Sequence, residues 1–214
     1  MIEIYHNTLP VCILPKEEHN VDIDYELVCD IVETLEPEIL RLHTKTDTNY
    51  SSEWKNDKDD ELITRWNKYN IFNIHHPALH PVFQVIMKGI KQFAEHMTFK
   101  GNIAYLQAWA TATRKNSKVY PHLHNFKWVG HVPIRAEPSV TMYHWKNKKG
   151  EVLEAKIENK NGQLQLVPNV NHQTTIWEQD ETRITIPFDV CDTSIWEEED
   201  KDKTKPPMFP IYIE

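Results

Sequence analysis

The sequence predicts an α+β protein in which helices come first and an all-β module follows. Three observations predict it. Apolar residues recur at helical spacing within the first hundred residues. From Asn102 onward they give way to short, closely spaced apolar runs. Turn residues then separate those runs at near-regular intervals, as in a sandwich or barrel. There is no internal repeat.

Taken in order, Ile2-Glu3-Ile4-Tyr5 and Val11-Cys12-Ile13-Leu14 read as two short strands with a turn at His6-Asn7-Thr8. Over 22–43, Ile23, Leu27, Ile31, Leu35, Ile39 and Leu42 recur at helical spacing. Pro37 implies two helical pieces there, or one kinked helix. Residues 44–60 are polar and read as a surface loop. Leu62, Ile63 and Trp66 give a further helical pattern that fades at Asn70. The clearest helix runs over 81–97, with Val82, Val85, Ile86, Ile90, Phe93 and Ala94 on one face and Pro81 suited to its first turn.

The apolar run over 103–110 reads as a buried strand, and further strands are expected over 140–145, 152–157, 164–167, 174–177 and 184–190. Lys149-Gly150, Asn161-Gly162, Pro168-Asn169 and Gln179-Asp180 punctuate them, and Asn161-Gly162 is a strong hairpin signal. The charge run over 197–205 reads as a solvated linker. The proline-rich apolar stretch after it, 206–213, docks either on the domain or on a partner.

Composition narrows the function. The 214 residues suit one domain, large enough to bury a core without a disulfide framework. Cys12, Cys29 and Cys191 are far apart, odd in number and form no C-x-x-C pair, so they read as free thiols of a reducing compartment. A net charge of -8 argues against non-specific nucleic-acid binding, without excluding a local basic groove. With 5 glycines and neither phosphate-loop motif, a nucleotide-binding enzyme is a poor expectation. No membrane span and no signal peptide can be read, so the expected location is cytoplasmic.

Three features in the β-module point to chemistry. The first is Tyr120-Pro121-His122-Leu123-His124-Asn125: in a strand, residues i and i+2 share a face, so His122 and His124 could reach one ion. The second is His172, expected between a turn and the next strand. The third is Arg183-Ile184-Thr185, on the following β-segment. Three neutral imidazoles suit Fe(II), Zn(II), Ni(II) or Cu(II) and leave positions open for substrate and O2. A buried guanidinium is costly unless an anion meets it, and Arg grips a carboxylate bidentately. Thr185 faces the same way as Arg183 and can add a hydroxyl donor.

This pattern resembles the double-stranded β-helix oxygenases that use Fe(II) and 2-oxoglutarate. In that superfamily a His-X-Asp/Glu pair and a distant His hold iron, and an Arg some ten residues further on, often followed at two residues by Ser or Thr, binds the far carboxylate of 2-oxoglutarate. His172, Arg183 and Thr185 fit this spacing. More narrowly, Ala108-Trp109-Ala110, Pro121-His122-Leu123-His124, Val167-Pro168 to His172, and Arg183-Ile184-Thr185-Ile186 resemble a His-X-His subfamily of bacteria and phages. The likeness spans 105–190. Gly130-His131-Val132-Pro133-Ile134 matches the subfamily's usual strand only in its glycine.

The resemblance implies a jelly-roll, cupin-like core with N-terminal support helices. Residues 1–101 would be the strands and helices packed on the core, 102–192 the catalytic core, and 193–214 the acidic linker and apolar tail of a single domain. It implies metal ligands His122, His124 and His172, with Arg183 and Thr185 holding 2-oxoglutarate. His124 stands where a carboxylate is usual: either it is the third ligand, which strand alternation favours, or it lies beside the metal and water fills its place. The implied reaction is hydroxylation of an amino-acid, peptidyl or other small-molecule substrate by O2, with succinate and CO2 as coproducts. The alternatives are a cupin-type three-histidine dioxygenase without 2-oxoglutarate, and a non-catalytic β-sandwich interaction module. His75, His76 and His80 read as turn or capping residues, and His131 and His144 stay unassigned. Trp109 and Trp177 read as core or pocket wall, and Glu178 and Asp189 as ordinary surface or strand-end acids.

Overall fold

The computed structural model describes residues 2–5, 8–42, 62–63, 69–97, 99, 101–192 and 208–213. His6 and Asn7, the expected loop over 44–60, Trp66 and the charge run over 197–205 lie outside the described residues.

The chain opens with two antiparallel strands, β1 (Ile2–Tyr5) and β2 (Leu9–Leu14), then a single helical turn, α1 (Lys16–His19). Two longer helices follow, α2 (Tyr25–Leu42) and α3 (Leu79–His96), with a 3-10 turn (Ile71–Ile74) before α3. The remaining strands are β3 (Ile103–Ala108), β4 (Thr111–Thr113), β5 (Trp128–Arg135), β6 (Val140–Lys146), β7 (Val152–Glu158), β8 (Leu164–Pro168), β9 (Asn171–Thr174), β10 (Arg183–Asp192) and β11 (Phe209–Tyr212).

Among the described residues they form two antiparallel sheets. The larger runs β1-β2-β8-β5-β10-β3-β11, with β4 also paired to β10; the smaller runs β7-β6-β9. Strand alternation makes three layers of this. Ile184, Ile186, Phe188 and Val190 of β10 face the core shared with Val28 and Val32 of α2 and Val85, Ile86 and Ile90 of α3. On the opposite face, Val11, Val129 and Val167 of the larger sheet pack on Tyr143, Ala155 and Ile157 of the smaller one. Arg183, Thr185, Pro187 and Asp189 have the parity of this second face, between the sheets.

Helix α2 starts where the Asp24 carboxylate accepts from the Leu27 backbone N–H at 3.0 Å. It continues through Pro37 as one element. Its buried stripe is Val28, Cys29, Val32 and Glu36, while Leu27 and Leu42 are exposed. Glu36 can sit in that stripe because Arg114 meets its carboxylate at 2.5 Å. Helix α3 buries Val82, Val85, Ile86, Ile90 and Phe93, the face its periodicity predicts.

Several expectations are corrected. Leu62 is bridged to Ala112 as extended backbone, so it does not belong to a helix. Strand β5, which Gly130 and Pro133 hide in the sequence, lies inside the larger sheet between β8 and β10. Gly130 is needed there: a Cβ would stand 2.5 Å from the Phe188 ring and 2.6 Å from the Gln165 carbonyl oxygen. The strand expected over 174–177 is displaced to Asn171–Thr174. Asn161-Gly162 is no hairpin turn, since β7 before it and β8 after it belong to different sheets. Gly162 carries a left-handed φ of 84°, and the turn it makes sends the chain across. The hairpin turn is at Lys149-Gly150, between β6 and β7. The tail segment β11 docks on the domain itself, pairing Phe209 with Leu106 and Tyr212 with Ile103. Cys12, Cys29 and Cys191 are all buried free thiols. Among the described residues no helix is long and apolar enough to cross a membrane.

Candidate metal centre

The structure brings His122, His124 and His172 together. His122 and His124 lie outside any regular strand, so the strand expected to align them is a correction. A single bridge does the work instead: His122 N–H donates to the His172 carbonyl, and His172 N–H to the His122 carbonyl, each at 3.1 Å. His172 is inside β9 rather than before a strand. The Asn169 side chain grips the backbone of His124, accepting from its N–H at 3.0 Å and donating to its carbonyl. The ring centroids are 4.8 Å apart for His122 and His124, 4.3 Å for His122 and His172, and 5.1 Å for His124 and His172. One ring nitrogen from each lies within 4.8 Å of the other two.

Each ring has its Nδ1 held from behind. His122 Nδ1 is 2.7 Å from the Tyr120 carbonyl oxygen, and His172 Nδ1 is 2.9 Å from that of Val170. A carbonyl only accepts, so both Nδ1 atoms carry the proton and both Nε2 atoms keep their lone pair. His124 Nδ1 lies 2.7 Å from Asp189 Oδ1. Burial, reinforced by His124, pushes the His122 ring down to about 3. Burial, then the two neighbouring rings, holds His172 well below the usual imidazole range. Neutral rings are the form that ligates a metal. Three oriented imidazole nitrogens fit a borderline cation such as Fe(II) or Zn(II).

Arg183 and Thr185 open onto the same pocket as the three histidines. Arg183 is 2% exposed, and burial lowers its pKa only to about 10, so it is charged at neutral pH. Its Nε donates to Ser139 Oγ at 3.2 Å. Its Nη1 is buried with no hydrogen-bond partner among the described residues. Among the described residues no carboxylate lies within ion-pair distance of it. Ser139 Oγ donates to the Ala136 carbonyl and accepts from Asn159 Nδ2. Asn159 Oδ1 is in turn 2.9 Å from His131 Nε2 and accepts from Thr141 and Gln165. Burial, partly offset by Asn159, pushes the His131 ring down to about 4, so this network is neutral as a whole. Thr185 Oγ1 and Thr111 Oγ1 share a hydrogen bond of 2.6 Å beside it.

Trp109 lines the pocket and stacks on His124, with centroids 5.9 Å apart at 27°. Trp177 is a core residue whose indole N–H donates to the Glu181 carbonyl. Glu178 is exposed, as expected. Asp189 corrects the reading of it as an ordinary acid: it is fully buried and faces His124. Its signal was parity, six residues after Arg183 on the same strand face. His75 adopts the left-handed φ of 53° that ends the 3-10 turn, and His76 Nδ1 accepts from the Ala78 N–H. His80 is in the first turn of α3, beside Gln84. His144, on β6, lies 3.6 Å from Glu154 and contacts Gln173.

No family model matches the sequence, and neither does any curated protein. Solved structures show partial similarity to it. The non-heme alpha ketoglutarate dependent carbocyclase SnoK from nogalamycin biosynthesis is 9% identical, with a TM-score of 0.49 over 85% of this chain and 79% of that one. The non-heme alpha ketoglutarate dependent epimerase SnoN, from the same biosynthesis, is 10% identical, with a TM-score of 0.43 over 56% and 60% of the two chains. An oxidoreductase of the 2OG-Fe(II) oxygenase family from Burkholderia pseudomallei is 10% identical, with a TM-score of 0.42 over 52% and 58%. The match thus spans about 60% of the length of the latter two proteins.

Proposed function

We propose that this protein is a non-heme Fe(II), 2-oxoglutarate-dependent oxygenase that hydroxylates a small-molecule or peptidyl substrate. His122, His124 and His172 would hold the metal, and Arg183 with Thr185 would hold the far carboxylate of 2-oxoglutarate. The observation that carries this reading is Arg183: a buried, charged guanidinium with a free Nη1, in one pocket with three converging imidazoles. An unmet buried charge is costly, and a carboxylate ligand offsets it. Chain path supports a double-stranded β-helix core, because β5, β8 and β10 of the larger sheet alternate in sequence with β6–β7 and β9 of the smaller.

Bound iron with 2-oxoglutarate supplies the O2 chemistry, in which the cosubstrate is decarboxylated to succinate and CO2 as a substrate C–H is hydroxylated. The chain's own part is placement. The Tyr120 and Val170 carbonyls fix which nitrogen His122 and His172 present. Ser139 accepts a hydrogen bond from Arg183 Nε–H and leaves the outer edge of the guanidinium to the carboxylate. Trp109 and Tyr143 wall the pocket and would limit the access of water to a bound substrate.

Anaerobic titration with Fe(II) and 2-oxoglutarate tests this. A visible charge-transfer band is expected. Metal binding without a band would favour a metal dioxygenase that does not use 2-oxoglutarate. Failure to bind any metal would overturn the enzyme reading.

A further inference from the structure

We infer that Asp189 is a positioning residue for the metal, fixing the tautomer and direction of His124 and placing one negative charge behind the ligand set. This rests on the metal-site reading above. The geometry is direct: His124 Nδ1 is 2.7 Å from Asp189 Oδ1, with side-chain exposures of 9% and 0%. A carboxylate accepts only, so Nδ1 carries the proton and Nε2 is left to face the other two rings. Trp109 stacks on the ring from the side and limits its rotation.

The surroundings of Asp189 separate it from an ordinary buried acid. Two other buried carboxylates each meet a cation: Glu36 meets Arg114 at 2.5 Å, and Asp192 meets Lys127 at 3.0 Å. Among the described residues no Lys or Arg stands within ion-pair distance of Asp189, whose Oδ2 is buried without a hydrogen-bond partner. A buried carboxylate is costly unless positive charge compensates it. A divalent ion on the far side of His124 would provide that charge through the ring. The three ligand rings are then held unequally. His122 and His172 lean on backbone carbonyls, while His124 leans on a carboxyl group. Three neutral imidazoles leave a dication its full charge, and Asp189 lowers the net charge of the centre by one.

The test is Co(II) titration of the full chain, followed by its visible absorption. Asp189→Asn keeps the shape and removes the charge; it should weaken Co(II) binding by about 10- to 100-fold, the range for groups that orient metal ligands, and shift the Co(II) bands. Asp192→Asn removes the other buried carboxylate of β10 and should leave affinity and bands unchanged. An unaltered Asp189→Asn spectrum and affinity, or an equal loss in Asp192→Asn, would overturn the inference. Should Asp189→Asn not fold, nitrogen NMR of the wild-type protein with Zn(II) decides. Ligation of His124 through Nε2 with Nδ1 protonated is expected, and ligation through Nδ1 overturns the role of Asp189. A wild-type chain that binds neither ion overturns the metal-site reading itself, and the inference with it.

Discussion

His122 and His172 are joined through their backbones, each donating its N–H to the other's carbonyl at 3.1 Å. The link that aligns the two rings is therefore independent of the rings themselves. Truncating a side chain there should remove one imidazole without undoing the bridge.

His122→Ala and His172→Ala should each weaken Fe(II) or Co(II) binding by more than about 100-fold, beyond what outer groups contribute. Their far-ultraviolet circular dichroism should match the wild type. Anaerobic calorimetric titration checks the first statement. An unchanged affinity in either variant would remove that residue from the ligand set.

Arg183→Met should weaken 2-oxoglutarate binding by about 10- to 150-fold, the loss of one charged hydrogen-bonding interaction, while sparing the metal. Arg183→Lys should not restore it, because an ammonium lacks the planar fork. Without ligand, Arg183→Met should melt no lower than wild type, since it removes a buried charge that no anion among the described residues meets. Loss of iron binding in Arg183→Met would contradict the assigned role.

Gly130→Ala should destabilise the fold by about 1–3 kcal/mol, as overpacking does. Phe188 could swing aside from the new methyl group, but the Gln165 carbonyl is part of the sheet and has no such freedom. Chemical denaturation of both proteins measures the difference.

Acid should weaken the metal-free protein in a defined window. An unfolded histidine titrates near the ordinary value of about 6.5, whereas burial holds folded His131 at about 4. Above the unfolded value both states are neutral and nothing is gained or lost. As pH falls below it, the unfolded chain takes up a proton that the folded one refuses. Stability is lost down to about pH 4 and then levels for this residue. His131→Gln should reduce the slope of unfolding free energy against pH by about 1 kcal/mol per unit between pH 6 and 4.5. Urea titrations across that range read it, and an unchanged slope would contradict a neutral, buried His131.

What could be read from sequence was what depends on neighbours along the chain. The stripe of α3 from Val82 to Phe93 repeats every three or four residues and packs as its period requires. Arg183 and Thr185 share a face because two residues separate them on a strand. The same parity reaches Asp189, yet nothing local says that an acid six positions on will be buried. The stripe of α2 shows the limit from another side. Leu27 is more apolar than Glu36, but Glu36 is buried because Arg114, far along the chain, comes to meet it. Asn161-Gly162 has the chemistry of a tight turn and makes one. Whether a turn returns a strand to its neighbour or sends it to another sheet depends on pairings that no turn residue encodes. Likewise His122 and His124 need no strand of their own, since one bridge to β9 and the Asn169 side chain align them.

The order of the larger sheet, β1-β2-β8-β5-β10-β3-β11, has a kinetic consequence. Only β1 and β2 are neighbours both in the sheet and along the chain, so the sheet cannot zip up hairpin by hairpin. Each further pairing must close a long loop before it is rewarded, as when β10 meets β3 across most of the second half of the chain. Topologies dominated by such distant pairings fold in roughly milliseconds to seconds rather than microseconds. The longest of these closures joins Cys12 of β2 to Leu166 of β8, so the sheet that carries Arg183 and Asp189 is complete only when segments from opposite ends of the chain have met.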